Sequence, residues 1–184
     1  METSTTKQLF SKDDLKKLII PLLFEQALAI TVGMADTVMI SSAGEAAVSG
    51  VSLIDMFNNL IISVLAALAT GGAVVTSQFL GAGKKEDACK SAKQLIVSSV
   101  CITIGISILV MVFCNGIISL FFGKIEADVF HNAVIYMMIS ALSFPFLALY
   151  NSCAALFRSM GNSQITLKVS VVENIINIGG NALG

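Results

Sequence analysis

The sequence predicts an all-α integral membrane protein, a polytopic bundle of transmembrane helices. Hydrophobic residues make up 55% of its 184 residues and charged residues only 12%. The mean hydropathy of +0.86 lies well above that of an ordinary soluble domain. Apolar runs long enough to cross a bilayer recur along the chain without the alternation typical of strands, so five helices are the simplest interpretation: approximately 18–40, 45–80, 94–122, 134–157 and 165–184.

The basic residues predict the orientation of this bundle. Ten of the 11 Lys and Arg residues precede the first helix, lie between the second and third, or follow the fourth, and the opposite side has only Lys124. By the positive-inside rule, the segment 1–17 is cytoplasmic and the protein is a multi-pass protein of the cell membrane. Ser11 and Asp14 resemble a capping box, which predicts a short helix that starts at the cytoplasmic surface and continues into the first span.

The first predicted helix carries two carboxylates, Glu25 and Asp36, within its apolar run. An acidic side chain near the centre of a spanning helix costs roughly 2.5 to 3.5 kcal/mol on insertion scales, so it faces protein or trapped water. The two acids are eleven positions apart, about three helical turns, and share one face with Pro21, which is expected to loosen the first turn. This acidic face is predicted to line a cavity.

The second predicted helix is longer than the bilayer requires, so its outer end is expected to project from the membrane. Asp55, Asn58 and Asn59 lie in that outer half, and Asp55 shares a face with both asparagines. Two interpretations stay open: these residues line an outward vestibule, or they cap an exposed turn. Small residues between positions 66 and 73 favour close packing with a neighbouring helix.

The third and fourth predicted helices offer few candidate functional groups. The third has no acidic or basic side chain and is expected to face lipid or to pack passively. The fourth contains Pro145 near its middle, which predicts a kink. The four cysteines and the single histidine, His131, show no metal-ligand spacing, so neither a metal site nor a cofactor is predicted.

The fifth predicted helix carries Glu173, Asn177 and Asn181 in one stripe, with Asn174 at its edge. Intramembrane asparagines usually join neighbouring helices, but opposite the acidic face of the first helix they would complete a polar cavity. The sequence stops at Gly184 inside an apolar helix that has no terminal cap or polar tail. We therefore expect the chain to be a piece of a longer protein.

Three short motifs resemble those of the multidrug and toxic compound extrusion (MATE) family of transporters. The stretch 32–48, VGMADTVMISSAGEAAV, is similar to the family's V-D-T-x-M-V-G-x-L-G-x-x-A-V signature, with alanine in place of the usual hydrophobic residue before Asp36. Residues 78–82, QFLGA, resemble its Q-x-x-G-A end of the second helix. Residues 158–162, RSMGN, match its R-x-x-G-N turn after the fourth helix.

The resemblance implies a bundle of six helices repeated once, about twelve in all, around a cleft that opens to alternate sides. Residues 18–184 would form an incomplete N-terminal lobe with five of these helices. The implied function is secondary active antiport, the export of amphipathic or cationic organic compounds such as drugs and toxins in exchange for H⁺ or Na⁺. The implied partners are a small-molecule substrate, the coupling ion, the lipid bilayer and the C-terminal half of the same transporter, with no nucleic acid.

The resemblance also implies a cation-coupling role for Asp36. In some members an N-x-x-x-D pair on the fifth helix joins this aspartate, and here the same spacing gives Asn177 and Asn181, so an amide replaces the second carboxylate. Coupling to Na⁺ would use Asp36, Asn177 and hydroxyls such as that of Thr37 as hard oxygen ligands.

Further polar residues of the spans are candidates for the cavity wall. Glu25 or Glu173 would supply the charge missing from the fifth helix, although Glu25 is equally suited to pairing across a helix interface. The candidates are Glu25, Thr37, Asp55, Asn58 and Glu173.

Two other functions stay open. A flippase of lipid-linked or polysaccharide precursors uses a related two-bundle architecture with a cationic cavity, but the absence of Arg and Lys between residues 18 and 80 argues against anionic cargo. An intramembrane enzyme would need catalytic groups, and the sequence has no paired membrane histidines, metal motif or Ser/His arrangement. We therefore expect no enzymatic activity.

Overall fold

The computed structural model describes residues 12–42 and 44–183, which form five α-helices. Side chains are described for the same residues except 14 and 181–183, so the predicted capping pair of Ser11 and Asp14 and the side chain of Asn181 lie outside the described part. The all-α prediction is confirmed. The helices are α1 (Lys12–Ser41), α2 (Glu45–Gly81), α3 (Lys85–Phe122), α4 (Ala127–Ser159) and α5 (Ser163–Leu183).

Two helices begin well before their predicted starts. Helix α3 starts at Lys85 rather than at residue 94, and α4 starts at Ala127 rather than at residue 134, whereas α1 starts at Lys12 and continues into the first span. Hydropathy marks where a helix enters the membrane, whereas the helix itself continues through charged residues that are good helix formers. Acidic side chains in the first turns of α3 and α4 also favour these starts, because they interact with the positive end of the helix dipole.

Four helices, α1 to α4, are long and apolar enough to cross a membrane. Helix α5 is not among them over its described residues. Its 21 residues include Glu173 and three asparagines, which interrupt its apolar sequence. Large hydrophobic side chains such as Leu120 and Phe146 project from the bundle surface, as expected where a helix faces lipid.

The centre of the bundle is formed by α2, α3 and α4, whereas α1 packs mainly against α5. Residues buried on α4 recur every three or four positions from Ala133 to Ser152, and four of the buried residues of this helix are alanines that let the neighbouring helices approach closely. The larger side chains Ile54, Ile118, Met137 and Phe144 fill the space between the three helices. This packing holds α2 against α4 on the side where the polar residues lie.

Two of the motif segments end helices in the same way. At the end of α2, Gly83 has φ +74°, its N–H donates to Leu80 O, and the next N–H, of Lys84, donates to Phe79 O. Gly161 after α4 has φ +78°, with the equivalent bonds from Gly161 and Asn162. These are Schellman caps, which satisfy carbonyls that the helix leaves unpaired. The left-handed residue that ends α2 is therefore Gly83, which follows the QFLGA segment. Gly81, within that segment, is still part of the helix.

Pro21 explains a contact between α1 and α5. Proline has no N–H, so the carbonyl four residues earlier, that of Lys17, loses its donor within the helix. The hydroxyl of Ser163, which is buried, lies 3.3 Å from Lys17 O and 3.0 Å from Leu18 O and donates to this pair of carbonyls. The first residue of α5 is thereby tied to the part of α1 that proline leaves short of a hydrogen bond.

Candidate functional site

A cavity of about 650 Å³ lies between α1, α2, α4 and α5, and we refer to it as the acidic cavity. It lies towards the end of the bundle where α1 ends and α2 begins, and its volume is within the usual range for small-molecule sites. Its wall combines polar and apolar side chains: Gly33, Asp36, Thr37, Met39, Ile40, Asp55, Asn58, Asn59, Ile62, Tyr136, Ser140, Ser143, Phe144, Leu147 and Asn177.

The charge of the acidic cavity comes from two carboxylates on different helices. Asp36 projects from α1 and Asp55 from α2, and both are half-buried. None of the described residues in the wall is Lys, Arg or His. A cavity of this kind attracts cations and repels anions, because the charges are only partly screened by water.

Tyr136 of α4 lies between the two carboxylates. Its hydroxyl donates a hydrogen bond of 2.8 Å to Asp55 Oδ1, across 81 positions of sequence. The phenol also lies within electrostatic range of Asp36 and within reach of Asn58. The residue therefore joins the acid of α2 to the site around the acid of α1.

Asn58 is the most buried polar residue of the wall, with 9% of its surface exposed. Its Nδ2 donates to Ser140 Oγ at 3.0 Å, which connects α2 to α4 a second time. Its Oδ1 is buried without a hydrogen-bond partner among the described residues. The wall thus holds an acceptor whose hydrogen-bonding capacity is unused.

The structure brings together several of the residues that were predicted for the cation site or for the cavity wall. Asp36, Thr37, Asp55, Asn58 and Asn177 all line the acidic cavity. The hydroxyl of Thr37 donates to Gly33 O of its own helix at 2.8 Å, which leaves its oxygen as an acceptor. Of the two interpretations of the α2 residues, the cavity wall is the one that their positions support.

Glu25 and Glu173 were also candidates for the cavity wall, and they lie outside the wall of the acidic cavity. Neither is among the described residues that line the acidic cavity. Glu25 shares a face of α1 with Asp36, but eleven residues of helix separate the two by about 16 Å along the axis. A shared face therefore does not place them at the same depth, and the second carboxylate of the cavity is Asp55.

Three wall residues on α4 were not predicted: Tyr136, Ser140 and Ser143. They are spaced by four and three residues, so they form one polar stripe of the helix. The same periodicity identified the α2 stripe, and it would have identified this one.

Glu25 pairs with Arg158 near the other end of α4, the residue that opens the RSMGN motif. Arg158 Nη2 lies 3.4 Å from Glu25 Oε1 and donates a hydrogen bond to it. Tyr150 lies within electrostatic range of Glu25, Arg158 and Glu173, so groups from three helices meet here. This ion pair joins α1 to α4, which otherwise belong to different parts of the bundle.

Replacing Arg158 is expected to destabilise the protein more than replacing Glu25. The Glu25 side chain is only 16% exposed and that of Arg158 is 39% exposed. Arg158→Met leaves a mostly buried carboxylate without its counter-ion, at a cost of about 2 kcal/mol, whereas Glu25→Gln leaves a cation that reaches water, at about 1 kcal/mol or less.

Thermal unfolding of the detergent-solubilised, full-length protein measures this difference, with Lys168→Met as a control that removes an exposed base of α5. The double variant should be more stable than the sum of the single losses predicts. Equal losses for the two single variants would contradict the pairing.

Four helices long and apolar enough to cross a membrane, with a cavity between them, define a multi-pass membrane protein. The MatE family model matches residues 21–183, and the chain belongs to this family. The resemblance found in the three motifs is thereby confirmed.

The relatives are transporters of greater length. The chain is 32% identical over 161 residues to the uncharacterized transporter YisQ of Bacillus subtilis (strain 168), covering 88% of this chain and 35% of that protein. It is 25% identical over 172 residues to the probable multidrug resistance protein NorM of Thermotoga maritima, covering 91% of this chain and 36% of that protein. The chain therefore spans about a third of the length of these relatives.

A solved structure has the same fold. It is a MOP superfamily transporter from Pyrococcus furiosus Vc1, described as having a binding pocket of reverse polarity that suggests a different function. The TM-score is 0.83 with 20% sequence identity, over 91% of this chain and 37% of that one.

Proposed function

We propose that this protein is a secondary active antiporter of the cell membrane that exports amphipathic organic cations in exchange for H⁺ or Na⁺. Its described helices would form part of the first six-helix bundle, with the N-terminus in the cytoplasm. The observation that carries the proposal is the acidic cavity, which has two carboxylates, apolar side chains beside them and no base among its described residues. The multidrug relative NorM supports drug-like cargo.

Asp36 is the residue to which we assign ion coupling, together with Asn177 and Asn181. Asp36 and Asn177 line the same cavity from α1 and α5. A proton or Na⁺ bound at Asp36 neutralises one of the two negative charges and so lowers the affinity of the cavity for a cationic substrate. Ion and substrate then favour different states of the transporter, which is what exchange requires.

No observation favours the flippase. An anionic phosphorylated precursor would meet two carboxylates in the acidic cavity, and no described wall residue offers it a positive charge. The relatives are transporters, and an enzymatic activity finds no support among them.

Proteoliposomes that contain the full-length protein test the proposal. A gradient of H⁺ or of Na⁺ is imposed alone, and the movement of ethidium, an amphipathic cation, is followed by fluorescence. We expect ethidium transport with one of the two gradients and its loss when an ionophore collapses that gradient. Transport of anionic fluorescein in place of ethidium, or ethidium movement that ignores both gradients, would contradict it.

A further inference from the structure

A group of four polar residues lies on the α2 and α4 side of the acidic cavity. We call it the α2–α4 cluster, and it consists of Asp55, Asn58, Tyr136 and Ser140. Two hydrogen bonds link its helices: Tyr136 to Asp55 at 2.8 Å, and Asn58 to Ser140 at 3.0 Å. Its side chains are therefore held in place before any ligand arrives.

The cluster has acceptor capacity that the protein itself does not use. Asn58 Oδ1 is buried and has no partner among the described residues, although almost all buried polar atoms in proteins have one. Asn58 belongs to the cavity wall and lies one helical turn from Asp55. A ligand with N–H donors and a positive charge would pair with the carboxylate, and it would satisfy this oxygen as well if the Asn58 side chain turned towards the cavity on binding.

The neighbouring wall restricts the kind of cation. Ile62, Leu147 and Met39 line the same cavity, so it offers an apolar surface beside the charged group. A small inorganic ion gains nothing from that surface, whereas the carbon skeleton of an organic amine does. The chemistry of the cluster therefore fits a protonated alkylamine with an apolar body.

We propose that Asp55 and Asn58 bind the protonated amine group of the exported compound, and that Tyr136 and Ser140 position them. This inference rests on the proposed function, because it divides that function between two carboxylates. Asp55 receives the substrate, and Asp36 remains the residue for the coupling ion. Asp55 therefore does not take over the ion-coupling role of the aspartate that some family members have on the fifth helix, because Asp55 binds the substrate.

Equilibrium binding to the full-length protein in lipid nanodiscs, with no ion gradient, tests the assignment. The probe is dansylcadaverine, a fluorescent alkylamine, and its N-acetyl derivative serves as a neutral partner with the same apolar body. Asp55→Asn is expected to weaken binding of the amine about tenfold or more, as for loss of a hydrogen bond to a charged group, with little change for the neutral derivative. Glu45→Gln, which removes an exposed carboxylate of the same helix, should leave both unchanged.

Asn58→Asp adds a carboxylate where the unused oxygen lies, and Ser140 can then donate to it. Asn58→Asp should tighten binding of the amine by a few-fold. It tests the role of the α2–α4 cluster in substrate binding even if Asp55→Asn does not fold. Tyr136→Phe removes the hydrogen bond to Asp55 and should reduce the preference for the amine over the neutral derivative, while the affinity for the neutral derivative stays unchanged.

The outcomes separate this inference from the proposed function. Wild-type protein that binds the amine and its neutral derivative equally would overturn both. Wild-type preference for the amine, unchanged in Asp55→Asn and in Asn58→Asp, would overturn the role of Asp55 and leave the antiporter standing. Unchanged amine affinity in Asp55→Asn, with loss of the H⁺ or Na⁺ dependence of binding, would place the coupling ion at Asp55 and would also overturn the inference.

Discussion

Asp36→Asn is expected to abolish ion-coupled export by the full-length protein while leaving it folded in the membrane. The amide has the shape of the carboxylate and costs less to bury, so insertion should be undisturbed. It cannot exchange a proton and binds Na⁺ more weakly, so gradient-driven export should fall roughly tenfold or more, equivalent to at least ~1.4 kcal/mol of lost ion binding. Half-buried Asp36 lies in the wall of the acidic cavity, where such a loss acts on the transported ions.

The measurement is efflux of ethidium from cells or vesicles under a defined ion gradient, with the membrane content of each variant verified by immunoblot. Asp128→Asn is the matched control, because Asp128 is an exposed aspartate in the first turn of α4, outside the acidic cavity. Coupled efflux that is unchanged in Asp36→Asn would remove Asp36 from the mechanism.

Gly50→Ala is expected to destabilise the protein by about 1 to 3 kcal/mol, the cost of overpacking a close contact. A Cβ atom on Gly50 would lie 3.0 Å from both Ala133 N and Val129 O. These are backbone atoms of α4, which cannot rotate away, so α2 and α4 would have to separate. Separation of these helices would also lengthen the Tyr136–Asp55 hydrogen bond, so binding of cations should weaken together with stability.

Gly71 and Gly72 of the same helix provide the comparison. A Cβ on Gly71 would meet no atom within 4 Å, so Gly71→Ala should be neutral or slightly stabilising because alanine is the better helix former. At Gly72 the Cβ would meet only the end of the Leu95 side chain, which can adjust, so its effect should fall between the two. Thermal unfolding of the three variants in detergent measures the order. A melting temperature for Gly50→Ala equal to that of Gly71→Ala would show that the helices do not approach closely there.

The two carboxylates of α1 show how far a local pattern predicts a site. Both Glu25 and Asp36 were identified by the cost of an acid in an apolar run, a property of each residue and its neighbours in sequence. Their environments differ because Arg158, 133 positions from Glu25, reaches one of them, and the acidic cavity surrounds the other. A sequence pattern does not show which residue of another helix lies at the same depth. It therefore could not distinguish the roles of Glu25 and Asp36, except through the motif around Asp36 that resembles the family signature.

The polar residues of α2 also show how far a local pattern predicts a site. The spacing of Asp55 and Asn58 was recognisable, but it fitted a cavity wall and an exposed cap equally well. The tertiary contact of Asp55 with Tyr136 favours the wall, because it places the carboxylate against α4 rather than in solvent.

The sequence by itself determined that this protein is an all-α membrane bundle, roughly where its helices lie and to which family it belongs. Hydropathy, helical period and short motifs are local properties, so a few helical turns of sequence are enough to recognise each of them. The tertiary structure decided that Asp55 joins Asp36 in one cavity, that Glu25 pairs with Arg158, and that α5 packs beside α1. These outcomes depend on the distances between helices, which are set by how small side chains such as Gly50 and Ala133 pack against one another.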